Sequence, residues 1–178
     1  KVVLAEGSKN MLWSGNQRYL IPQKAASGAA LYAKGNLAVT GSGYLEILGY
    51  LNNGIRCRNT LQLSDGANVE IQASNRAIRA GDCYIEGGSY ALVSGDNNIY
   101  TENSLIVLGG SLTGETSDTC LLSEGVVQIE GGNIRLESPE QRGITAAETV
   151  TISGGELTID VLGDGIFSES GIEVSGGT

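Results

Sequence analysis

One apolar residue recurs along this chain at a nearly fixed interval. Ile55, Ile78, Ile99, Leu121, Ile144 and Ile166 follow one another at steps of 21 to 23 residues. A second series keeps pace with it: Val39, Leu63, Ile85, Val107, Ile129, Ile152 and Val174, at steps of 22 to 24. Such self-similarity marks a solenoid, in which each repeat buries its apolar face against its neighbours.

Inside one repeat the polarity alternates with period two. Gly143-Ile144-Thr145-Ala146, Val150-Thr151-Ile152-Ser153 and Leu157-Thr158-Ile159-Asp160 are three such runs in succession. They read as three short strands, each with one buried face, and leave room only for tight corners. Gly-Gly recurs at Gly87-Gly88, Gly109-Gly110, Gly131-Gly132, Gly154-Gly155 and Gly176-Gly177, with Asp65-Gly66 in the same place one coil earlier. Glycine takes positive φ without a Cβ clash, so it suits a sharp corner repeated in every coil. The expected fold is all-β: a three-sided parallel β-helix of about 22 residues per coil and six to seven coils, on the order of 30 Å long at the usual strand spacing. Right-handedness is expected from crossover chirality. Leu37, Leu61, Cys83, Leu105, Val127, Val150 and Ile172 form one expected inner stack, and Tyr90, Leu112, Ile134 and Leu157 another.

The 178 residues fit a single domain over 1–178. Residues 1–27 are less regular, include the only tryptophan, Trp13, and read as an imperfect opening coil or cap. Lys1-Val2-Val3-Leu4 reads as a strand there, and Pro22 with 23–27 as a loop. The chain begins without methionine and stops after a Gly-Gly corner, so a piece of a longer chain is expected.

The net charge of −9 disfavours nucleic acid and an anionic membrane surface as partners. With no histidine, a Ser-His-Asp triad and histidine metal sites are excluded. The three cysteines, Cys57, Cys83 and Cys120, cannot form a complete disulfide framework and read as small buried hydrophobes.

The residue after each anchor points away from the core. These are Arg56, Arg79, Tyr100, Leu122, Thr145 and Phe167, and the neighbouring strand adds Gln62, Tyr84 and Ile106. Arg56, Arg79, Tyr100, Phe167 and Tyr84 are the candidate sugar contacts: aromatic faces meet C–H patches and planar guanidinium donors meet hydroxyls or carboxylates. An equal alternative is that a further segment covers this row. Acidic residues gather at the corners, and Asp82, Asp96, Glu102, Asp118 and Asp164 are the candidate calcium ligands. The plainer alternative is a solvated acidic rim.

Several segments, taken in order, resemble a known family. They are Lys1-Val2-Val3-Leu4-Ala5-Glu6-Gly7-Ser8-Lys9-Asn10-Met11-Leu12, Ala29-Ala30-Leu31-Tyr32-Ala33-Lys34, Leu37-Ala38-Val39-Thr40-Gly41-Ser42-Gly43-Tyr44-Leu45, Ala77-Ile78-Arg79-Ala80-Gly81-Asp82 with Ile85-Glu86-Gly87-Gly88, and Gly163-Asp164-Gly165-Ile166. Together they resemble the bacterial carbohydrate-binding β-helix domain family. That resemblance implies a pectate-lyase-like shape and non-catalytic binding of extracellular plant polysaccharide, cellulose or polygalacturonate, with bound calcium. It also implies a secreted or cell-surface location, and a monomer is expected. The Asp-Gly-Ile signature is intact only at Asp164; Asn53, Arg76, Asn97, Thr119 and Arg142 hold the equivalent places. Two alternatives stand beside binding. One is a polysaccharide lyase using Arg79 or Arg142 as base, for which no clustered Asp-Asp-Arg group is visible. The other is a passive stalk in a surface protein.

Overall fold

The computed structural model describes residues 1–15 and 28–178, so the loop expected at Pro22 and 23–27 lies outside the described residues. The described chain is strands and turns, without a helix. Every strand pairing is parallel, and each strand pairs with its counterparts one coil before and after. The result is a β-solenoid of about seven turns with about 22 residues per turn.

Each turn has three faces. The first carries the anchors, on strands such as Ile55–Cys57, Leu121–Ser123, Ile144–Ala146 and Ile166–Ser168. The second carries strands such as Thr60–Leu63, Val126–Ile129 and Thr149–Ile152. Strands Ile78–Ile85 and Ile99–Val107 run around the edge between them and join both faces into one 13-stranded sheet. The third face is a separate sheet of 7 strands, from Lys9–Ser14 at one end to Glu156–Val161 at the other.

The anchors stack as the spacing requires. Ile55 pairs with Ile78, Ile78 with Ile99, Ile99 with Leu121, Leu121 with Ile144 and Ile144 with Ile166. Val39, Leu63, Ile85, Val107, Ile129, Ile152 and Val174 form the matching column on the second face. Alternation puts these side chains inside, and Ile55, Ile78, Ile99, Leu121 and Ile144 are fully buried. Each Leu or Ile so buried contributes roughly 1.5–3 kcal/mol. Cys57, Cys83 and Cys120 are free thiols inside this core, as expected.

The glycine corners hold the coils close. Gly88, Gly110, Gly132, Gly155 and Gly177 take φ between 86° and 97°. A Cβ on Gly132 would also lie 2.9 Å from the carbonyl oxygen of Gly110 in the coil before it, so both backbone conformation and space demand glycine.

One inner column of the third face is broken and refilled. Ile47, Ile71, Leu92, Gly114, Leu136 and Ile159 stack in order, with glycine where a large apolar residue belongs. The buried amide of Asn98 occupies that space, and its Nδ2 donates to Leu92 O at 3.1 Å, Ser94 Oγ at 2.9 Å and Glu115 O at 2.9 Å.

The opening of the chain includes two strands among the described residues. Val2–Leu4 pairs with Val39 to Gly41, and Lys9–Ser14 pairs residue by residue with Tyr44–Gly49. Val2–Leu4 and Lys9–Ser14 therefore each add an end strand to one face.

Candidate functional site

On the first face the outward row is continuous: Tyr32, Arg56, Arg79, Tyr100, Leu122, Thr145 and Phe167 lie one above another. All are half-buried. Tyr32 is an addition to the expected row. It stands 24 residues before Arg56, and a series begun at Ile55 starts one rung too late to include it.

Guanidinium groups lie over the aromatic rings. Arg56 is 5.9 Å from the Tyr32 centroid, Arg79 is 5.3 Å and Arg76 4.4 Å from Tyr100, and Arg142 is 4.0 Å from Phe167. Cation–π attraction at this range is worth about 0.5–1 kcal/mol where exposed. It fixes the rings but also covers ring surface a sugar could use. Arg79 pairs with Glu102 at 3.0 Å, and the Tyr100 hydroxyl donates to Glu124 at 3.3 Å. Burial, then the charge of Glu124, pushes the Tyr100 hydroxyl pKa up. Tyr84 points outward from the second face, between Gln62 and Ile106, so it adjoins the row without joining it.

The five acidic candidates divide between the two edges of the first face. Asp82 and Glu102 lie toward the second face; Asp96, Asp118 and Asp164 lie toward the third. Asp82 accepts a hydrogen bond from the Ser104 hydroxyl at 2.7 Å, and Glu102 is taken by Arg79. Asp96 pairs with Arg76 at 3.1 Å, and Asp164 with Arg142 at 3.0 Å. Asp118 accepts from the Thr119 amide at 2.7 Å. Burial, then the adjoining Asp118 carboxyl, raises the pKa of Asp96. Calcium takes six to eight oxygen ligands. Among the described residues no cluster of three or more histidine, cysteine or acidic side chains is placed to hold a metal ion. These five carboxylates do not converge on a common centre. Instead Arg76 and Arg142, which stand in two of the family's aspartate places, bring their own positive charge to the ladder.

Arg76, Asp96 and Asp118 do form an Asp-Asp-Arg group that the sequence did not reveal. Arg76 is tied within it: Nε donates to Asn97 Oδ1 at 3.0 Å, Nη2 meets Asp96, and the group covers Tyr100. The guanidinium is thereby held in place by Asn97, Asp96 and the Tyr100 ring together.

These features define a parallel β-solenoid with outward side chains repeated once per rung, a class suited to long ligands laid on its surface. A family model described as "Carbohydrate-binding domain-containing protein" matches residues 1–178, and the chain belongs to that carbohydrate-binding family. Comparisons with curated proteins and with solved structures found no match.

Proposed function

We propose that this domain binds an extracellular polysaccharide without altering it, and that the ligand is a plant cell-wall glucan or uronate polymer. The observation that carries the proposal is the row of aromatic and guanidinium side chains at one-rung spacing, about 4.8 Å apart, on a flat face. A polymer lying along such a face meets several weak contacts at once, and these reinforce one another through effective concentration. Placement at a cell surface or outside the cell follows from where such polymers lie. The absence of histidine in the sequence and the engagement of Arg79 and Arg142 in ion pairs support a non-catalytic role. Calcium in this scheme is shared between protein and ligand, because the protein's carboxylates alone do not close a cage.

Affinity electrophoresis through gels holding β-glucan, xylan or polygalacturonate tests the proposal, each with calcium and with chelator. Retarded migration is expected, and weaker retardation for Tyr32→Ala and Tyr100→Ala. Loss of retardation in chelator marks calcium as part of the contact. Free migration in every gel overturns the proposal, and release of unsaturated uronate products overturns the non-catalytic part.

A further inference from the structure

The third face carries a feature that the first lacks. Two of its outward rows have a trough between them. One row runs through Glu46, Glu70, Ala91, Thr113 and Arg135; the other runs through Leu48, Gln72, Val93, Glu115 and Glu137. Two open hollows of about 240 and 180 Å³ follow one another along them, and a third, of about 460 Å³, opens beside the second row against Pro139 and Leu162. Ala91 and Val93 line both the first and second hollows, and Glu115 and Glu137 line both the second and third. The first two hollows therefore make one trough, running along the solenoid from the strand Tyr44–Gly49 to the strand Asn133–Ser138, and the third adjoins it across Glu115 and Glu137. Four inter-strand steps of about 4.8 Å give it a length of roughly 19 Å.

Trp13 stands one rung before Leu48 in the same row, with 63% of its surface exposed. Val93 is also exposed. No guanidinium is recorded over Trp13 among the described residues, unlike Tyr32, Tyr100 and Phe167 on the first face. The polar groups of the trough are mainly carboxylates, and its cation, Arg135, is already paired with Glu137 at 2.6 Å. Carboxylates accept hydrogen bonds from hydroxyls and repel other anions.

We infer that the third-face trough is a binding track for a neutral polysaccharide chain laid lengthwise, with Trp13 packing against a sugar ring at its end. The inference rests on the polysaccharide-binding reading and adds to the first-face row a second binding face with its own ligand charge class. The apolar residues of the Trp13 row meet the C–H faces of the sugars, and Glu46, Glu70 and Glu115 accept from their hydroxyls. A uronate chain is excluded from this face by charge.

Trp13 is the sole tryptophan, so its fluorescence reports on this face alone. The whole chain is titrated with cellohexaose, xylohexaose, mannohexaose and oligogalacturonate, following emission and quenching by acrylamide. At least one neutral hexasaccharide is expected to shift the emission and shield Trp13, and oligogalacturonate to do neither. Ala91→Glu, which raises a charged side chain from the trough floor at an outward position, is expected to weaken neutral-chain binding about tenfold while far-UV circular dichroism is unchanged. Binding of neutral glycans in the gels with Trp13 unshielded and Ala91→Glu at wild-type affinity overturns the inference and leaves the general binding function intact. Shielding by oligogalacturonate alone also overturns it. Failure of every glycan in both assays overturns both proposals.

Discussion

Replacing Asn98 with alanine probes whether the broken inner column is a matched pair of exchanges. The substitution removes three donor contacts made by one buried amide group. That group has two N–H donors, one of them shared between acceptors, so at about 1 kcal/mol per donor the loss is about 2 kcal/mol. It also removes Asn98 Oδ1, a buried acceptor without a partner, which returns about 1 kcal/mol. The net cost is therefore about 1 kcal/mol. In the reciprocal change, Gly114→Ala, the new Cβ would lie 2.5 Å from Asn98 Oδ1 and 3.2 Å from Leu136 Cδ2. Overpacking of this kind costs about 1–3 kcal/mol. In the double variant the methyl group at 114 enters space that the amide has left, and the main clash vanishes. The two changes together should cost about 1–2 kcal/mol less than the sum of the singles. Urea unfolding followed by far-UV circular dichroism measures all four proteins, with slopes compared to confirm that each unfolds in one step. Additivity within about 0.5 kcal/mol would refute the account of Asn98 as the filler of a vacated apolar place.

The thiols give a second test. Burial pushes Cys83 and Cys120 up to about 12 and raises Cys57 as well. A thiol reagent at pH 8 should label none of the three in the native protein and all three in denaturant; rapid native labelling would contradict the buried stacks. The carboxyl pair gives a third. Asp96 holds its proton more tightly when folded, so its effect on stability becomes less favourable as pH rises from the ordinary carboxylate range through its raised value. Asp118→Asn keeps an acceptor for the Thr119 amide and removes the neighbouring charge. It should add roughly 0.2–1 kcal/mol at pH 7 and flatten the acid side of a melting-temperature profile; an unchanged profile would separate the two groups.

The fold could be read from the chain because a solenoid writes its architecture as a period. Ile78, Ile99 and Leu121 sit at matching places in successive repeats, and matching places become neighbours. The first-face row followed by the same logic, apart from Tyr32. The third-face trough did not. Its concavity depends on small Ala91 and Thr113 between longer side chains on adjacent rungs, which is a relation among strands rather than a pattern along any one of them. Trp13 was obscured differently, because the residues that follow it lack the period and make its own strand look irregular. The Arg76–Asp96–Asp118 group was hidden because its members come from three successive coils.

The corners are not equally tolerant of change. The glycine corners at 86–88, 108–110, 130–132 and 153–155 keep one length, each packed against the backbone of another. The connections from the third face to the first vary, with 95–98 shorter than 139–143. Length differences are absorbed at that seam, even though its backbone is hydrogen-bonded from coil to coil, as from Asp96 N to Asn75 O and from Gly143 N to Asp164 O. A lineage, or an engineer, seeking to add a loop beside the third face would find there the edge whose length already varies from coil to coil, and could tune access to the trough from it.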